Sequence, residues 1–471
     1  MASRDVWQQS GSTFRGYICH GSSSRKPAIL SLPAEFAREV FLHAFFNAPR
    51  QQAYLRHRRI RTIVQFHIAA VCRSWRAVAL ETPALWADIV LNLYDRKVLD
   101  GQLPYVRTLL QRSAGAPLDI FLYGSWRPPK QWIGDVGEGF FFLLARTASR
   151  WRTLHIDAPM SHLTPSCMTM FAYETPLLED LLLSLKYNPY DTPFEPRKFE
   201  YLPHCPRLRR LCLQDTGPAS VFPLPHADRA PMLSLEYVSL DSAWISPETI
   251  WDLLPLMPNV VDFRLSHFGI EWPQEVEAPE YRVCLPKLKA LTITCPPKTL
   301  VQLWAPMLDL PGLTELGAFH LKGSAELQAL LQISHARDTV TTFWFGGEDT
   351  PGCVDVPVLA TLAKVRHLNL MLEMEKSLRT LCSAMEKGKL WPELQVLRVG
   401  NMRLDGDEYG GSPDADARAA TRALMSFVKA RSPPLKELIL SLTDLPTRSM
   451  DKLCRLVSVK NELEPPDWCD L

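Results

Sequence analysis

Apolar residues recur along most of this chain in one short rhythm. The pattern Pro-x-Leu-x-x-Leu-x-Leu runs from Pro176 to Leu183 and again from Pro206 to Leu213. Copies with other apolar fillings centre on Phe263 and Leu265, Leu291 and Ile293, Leu316, Phe343 and Phe345, Leu368 and Leu370, Leu397 and Val399, and Leu438 and Leu440. Weaker copies lie at Leu154 with Ile156 and at Val238 with Leu240. Equivalent residues from Leu154 to Leu397 are separated by about 25 to 30 residues, a period of repeat architectures. Each Leu-x-Leu alternates as a strand does, sending both leucines to one face and the residue between to the other. Helical stretches lie between. Ser246 suits an N-cap and Pro247 a first helical position ahead of Ile250, Trp251, Leu253 and Leu254. Stretches 325–333 and 418–428 read the same way. One strand and one helix cannot bury their apolar faces alone, so neighbouring units must stack.

The N-terminal region has a helical rhythm instead. Leu32, Phe36 and Val40 are four apart and form one stripe, with Phe41 widening it. Pro33 fits the first turn, where no backbone N–H is needed. Val64, Ile68, Val71, Trp75 and Val78 keep a helical period over four turns until Thr82-Pro83 stops it, and Leu85, Trp86 and Ile89 follow. About sixty residues cannot bury this much apolar surface alone, so part of it is expected to seek a partner. The order Leu32-Pro33-x-Glu35, Val71-Cys72-x-x-Trp75 and Thr82-Pro83-x-Leu85-Trp86 resembles an F-box, and in particular the F-box-like domains of mushroom-forming fungi. One departure is a basic insert between Asn47 and Thr62, with Arg50, Arg56, Arg58, Arg59 and Arg61. The stretch Leu109 to Ser113, then Pro117 to Leu122, is similar to the same family, with Ile120 and Leu122 as the expected first strand of the sheet. The downstream units resemble leucine-rich repeats, although the asparagine that many such repeats place after the strand is mostly missing.

The expected fold is therefore α/β: a short helical F-box-like module followed by an irregular leucine-rich-repeat solenoid, a horseshoe of strand–helix units. The expected divisions are a disordered segment 1–27, the module 28–91, a linker helix 92–117, the array 118–460 and a tail 461–471. The resemblance implies a substrate-recognition subunit of a Skp–cullin–F-box type ubiquitin ligase. Leu32, Pro33, Phe36, Val40, Val71, Trp75, Leu85 and Trp86 would dock the Skp-type adaptor. Strand alternation selects the client face. Arg210, Tyr237, Asp262, Arg264, Trp344, His367 and Arg398 are its candidate residues, and His155, Asp180, Asp241, Glu315 and Asn369 share its phase. Aromatic and arginine side chains are the usual anchors of protein interfaces, and the mixed charge suits a protein or peptide client. A non-catalytic scaffold with no role in ubiquitination is the alternative reading.

Composition narrows the classes. A formal net charge of +1 gives no global case for nucleic acid or an anionic membrane. Eleven scattered cysteines without a Cys-x-x-Cys pair point to a reducing compartment, cytoplasmic or nuclear. No apolar run is long enough to span a bilayer, and the N-terminus lacks the apolar region of a signal peptide. No P-loop, Gly-x-Gly-x-x-Gly, His-Glu-x-x-His or Gly-x-Ser-x-Gly is present. Gly134, Gly137 and Gly139 do not match the dinucleotide spacing, and the histidines do not pair at ligand spacing. Cys72 reads as packed rather than nucleophilic. The carboxylates at Asp405, Asp407, Glu408, Asp414 and Asp416 read as a surface loop without EF-hand spacing. No catalytic residue, metal site or cofactor is expected.

Overall fold

The computed structural model describes residues 32–46, 58–93, 96–124, 134–159, 173–186, 205–214, 231–241, 247–266, 281–294, 298–321, 323–333, 335–347, 354–372, 375–400, 415–441 and 447–462. The chain divides into two compact units, Met1–Trp86 and Ala87–Leu471.

The described part of the first unit is helical: α1 (Ala34–Phe46), α2 (Arg58–Val71), α3 (Arg73–Leu80) and a single 3-10 turn at Pro83–Trp86. The apolar period from Val64 to Val78 does not form one continuous helix. Cys72 is extended and its Sγ accepts the backbone N–H of Trp75 at 3.4 Å, so it ends α2 and caps α3. Arg58, Arg59 and Arg61 of the basic insert lie at the start of α2. Arg50 and Arg56 lie outside the described residues, as does segment 1–27.

Among the described residues the second unit is built on one fourteen-stranded sheet. Its strands are β1 (Asp88–Asn92), β2 (Leu118–Tyr123), β3 (Trp151–Pro159), β4 (Asp180–Lys186), β5 (Arg210–Gln214), β6 (Tyr237–Asp241), β7 (Asp262–Ser266), β9 (Ala290–Thr294), β11 (Glu315–Phe319), β12 (Thr342–Gly347), β13 (His367–Leu372), β14 (Val396–Gly400), β15 (Glu437–Ser441) and β16 (Ser458–Glu462). The short strands β8 (Val283–Cys284) and β10 (Leu308–Asp309) pair separately. All pairs are parallel, and the strand order follows the chain. The sheet thus begins one strand earlier than Ile120 and Leu122: Asp88–Asn92 belongs to it, and not to the helical module expected to reach residue 91.

The repeat positions read from the sequence fall into one row of this sheet. Leu154 pairs with Leu181, Leu181 with Leu211, then Val238, Phe263, Leu291, Leu316, Phe343, Leu368, Leu397 and Leu438 follow in register. All are buried. The Pro-x-Leu ahead of β5, β9 and β11 is a hydrogen-bonded turn: Leu208 N–H donates to the Cys205 carbonyl, and Leu288 and Leu313 repeat the contact with Leu285 and Leu310. Each unit is then tied to the one before. Glu236 and Tyr237 both donate to the Arg209 carbonyl, and Arg366 and His367 both donate to that of Thr341.

When strand order follows the chain and all pairs are parallel, every right-handed crossover steps the same way and brings its connection to the same face. Successive connecting helices pack on one another accordingly: Arg96–Arg112 on Gly134–Ala145, and Glu375–Glu386 on Ala415–Ala430. Burial alternates along β2, β7 and β9, but four consecutive residues are buried in β11 and β15. Segment 401–414, with most of the acidic stretch, and residues 463–471 lie outside the described residues.

Candidate functional sites

Helix α1 is apolar on two sides. Ala37, Phe41 and Phe45 are spaced four apart and buried, and the Phe41 ring lies 4.8 Å from that of Trp75. Phe41 therefore does not widen the stripe of Phe36 and Val40, because one residue of offset turns a side chain by about 100° around a helix. That second stripe is bare: Leu32, Phe36 (64 % exposed) and Val40 (43 %) all face solvent, as does Val71 on α2 (54 %). Pro33 is exposed and Trp75 is half-buried.

Leu85 and Trp86 correct the expected docking set. Both are fully buried. Trp86 Nε1 donates to the Ala79 carbonyl at 2.7 Å, and Phe66 meets the indole edge-on at 5.3 Å. Buried Thr82 donates to the Val78 carbonyl at 2.7 Å. These residues close the helical unit from within and offer no surface to a partner.

The candidate client residues all lie on the sheet face opposite the leucine row. Arg210, Tyr237 and Asp262 are neighbours across β5, β6 and β7, and the same row continues through Ala290, Glu315 and Thr342 to His367. Arg264, Trp344 and Arg398 occupy the adjoining row with Ser239, Thr292, Gly317 and Asn369. Two arginine–aromatic clusters result. The guanidinium groups of Arg210 and Arg264 lie 4.8 and 5.2 Å from the centre of the Tyr237 ring, and Arg264 also donates to Asp262 at 2.8 Å. Burial pushes the Tyr237 phenol up to about 12, against the opposing pull of Arg264. In the second cluster Trp344 donates its indole N–H to Glu315 at 2.5 Å, and Arg398 lies over the ring. Burial also pushes the Glu315 carboxyl above its ordinary value, against the indole hydrogen bond.

Trp344 is only 8 % exposed. It is therefore a covered aromatic rather than a free anchor. His367 is exposed and stands 3.5 Å from the Thr342 hydroxyl. Toward the start of the sheet, His155 meets Phe121 edge-on and lies 3.2 Å from the Asp180 carboxylate, and Arg152 pairs with Asp119 at 2.5 Å. Arg152 was not a candidate because the register shift between Leu118 and Asp119 alters the alternation at the start of β3, whereas Phe121, between Ile120 and Leu122, shares the phase of the candidate face and was passed over. Gly317 was missed as well, although a glycine at a strand centre is a signal of close packing.

Among the described residues there is no group of three metal-ligating side chains and no helix long and apolar enough to cross a membrane. Comparison with protein-family models and with curated proteins finds no match to this chain.

Proposed function

We propose that this chain is a substrate-recognition subunit of a Skp–cullin–F-box type ubiquitin ligase: an F-box-like module that docks the adaptor, followed by an irregular leucine-rich-repeat solenoid that holds a protein client. The observation that carries the reading is the bare apolar stripe of α1. Apolar side chains left together on a helix surface mark a place for contact with another protein, and here Phe41 and Phe45 are covered while Phe36 and Val40 are not. Together with Val71 they suit packing against partner helices. The resemblance of the Leu-Pro-x-Glu and Val-Cys-x-x-Trp segments to an F-box supplies the identity of that partner. On the repeats, the Arg210–Tyr237–Arg264 and Trp344–Arg398 clusters support a protein client, because stacked arginine and aromatic groups are typical of interface centres. The acyl transfer itself belongs to the partners, and this chain supplies proximity. No cofactor enters the proposal.

The test is co-purification of the full chain with a Skp-type adaptor. Phe36→Ala/Val40→Ala removes the bare stripe without touching a buried side chain, so the variant should fold with an unchanged melting temperature and lose at least tenfold in adaptor affinity. Equal binding by the variant and the intact chain would end the docking assignment. If the adaptor binds but no client is turned over, the non-catalytic scaffold becomes the better reading.

A further inference from the structure

Glu315 and Trp344 lie on adjacent strands but are not register partners. Glu315 pairs with Thr342, and Trp344 pairs with Gly317. For its N–H to reach Glu315 at 2.5 Å, the indole must lean back toward β11 rather than stand up from β12. Gly317, the register partner of Trp344, carries no side chain, and the space a Cβ would take there is met by the Thr292 methyl and hydroxyl at 2.9 Å. The Arg398 guanidinium, two strands further on, lies over the ring with its carbon 5.9 Å from the centroid. The ring is thus pinned at its edge by a carboxylate and covered on a face by a cation.

We propose that Glu315 is a positioning residue of the client face: it fixes the tilt of Trp344 toward β11 so that the indole supports Arg398. The Arg398 guanidinium is itself largely covered, with Nε and Nη1 buried, so the ring face is one of the walls that hold it. Glu315 therefore acts on Arg398 through the indole. This deepens the client reading above and rests on it. Four charged or titratable groups face the Trp344–Glu315 contact: Asp262 and Arg264 from β7, His367 from β13 and Arg398 from β14. Asp262 opposes ionisation of Glu315, while Arg264 and His367 favour it.

The experiment uses the full chain labelled with 5-fluorotryptophan and needs no client. Trp344→Phe identifies one resonance among the 13 tryptophans. That resonance should titrate with a midpoint above the ordinary glutamate range of about 4.3. In Glu315→Gln it should move and cease to titrate, whereas in Arg398→Leu it should move and still titrate. Persistence of the titration in Glu315→Gln, or a resonance unmoved by that substitution, overturns the proposal. If Glu315→Gln does not fold, Glu315→Asp keeps the charge but is one methylene short. Its Trp344 resonance should also shift, and an unshifted one has the same overturning force. A face that binds no client leaves all of these spectra unchanged, so failure of the client reading and failure of this proposal are told apart.

Discussion

Tyr237 shows how much one side chain in this protein depends on its neighbours. With a guanidinium from β5 and another from β7 against its ring, its phenol is partly withdrawn from water and titrates at about 12 rather than 10. The unfolded chain loses that proton first, so the contribution of Tyr237 to native stability is full below about pH 10 and falls as pH rises toward about 12. A phenolate absorbance titration of the intact chain minus Tyr237→Phe should show a step near 12; a step near 10 would mean that the ring is solvated. Trp86 makes the same point for the helical unit. The resemblance placed it in the docking set, yet its indole has a buried carbonyl to bond and Phe66 to pack on. Trp86→Ala should lower unfolding free energy by about 3–5 kcal/mol, measured by denaturant titration, while Phe36→Ala should cost well under that. Residue type and spacing disclosed that both positions matter. Which of them faces inward was fixed by tertiary contacts that one helix period does not encode.

At the scale of elements, the strands were more legible than the helices. Leucine pairs at period two marked β4, β5, β7, β9, β13, β14 and β15 because a strand buried along one side needs that alternation whatever its neighbours are. The break between α2 and α3 was not legible, because Val71 and Trp75 keep helical phase across Cys72, and only the extended backbone of Cys72 separates the two helices. The stretch around Arg112-Ser113 had a structural meaning that spacing could not show: buried Ser113 receives a hydrogen bond from Arg150 at 2.7 Å, and Arg150 also holds the Ala116 carbonyl. Glycines in strands carry similar information. Gly346 stands beside Met371 so closely that an added Cβ would collide with the Met371 carbonyl oxygen and Cβ. Gly346→Ala should therefore destabilise by about 1–3 kcal/mol, with the loss seen in urea unfolding. An unaltered midpoint would show that β12 and β13 can move apart freely.

For the whole molecule, sequential pairing makes nearly every strand contact local along the chain. Strands β5, β6 and β7 depend on one another and on the units beside them, and hardly at all on β15. Stability in such an arrangement is close to a sum over nearest neighbours. Hydrogen exchange of the full chain should accordingly show protection highest near β6 to β12 and stepping down toward β16, whose outer edge has no strand partner among the described residues. Uniform protection from β2 to β16 would instead indicate one all-or-none core. The long-range order of the sheet could be read in advance because the period recurs. The burial of both faces in β11 and β15 could not, since alternation predicts one wet face and says nothing of what lies over it.

The parallel, in-sequence strand order has a consequence for how such a chain can change over generations. Because consecutive strands all join in parallel and in chain order, a segment from one strand to the next can be duplicated or deleted in frame. The flanking units then close on each other without rethreading the rest. The length of the sheet is therefore adjustable one strand at a time, while the helical unit ahead of it keeps its sequence. A lineage built this way can vary the extent of its sheet surface and leave the helical unit as it was.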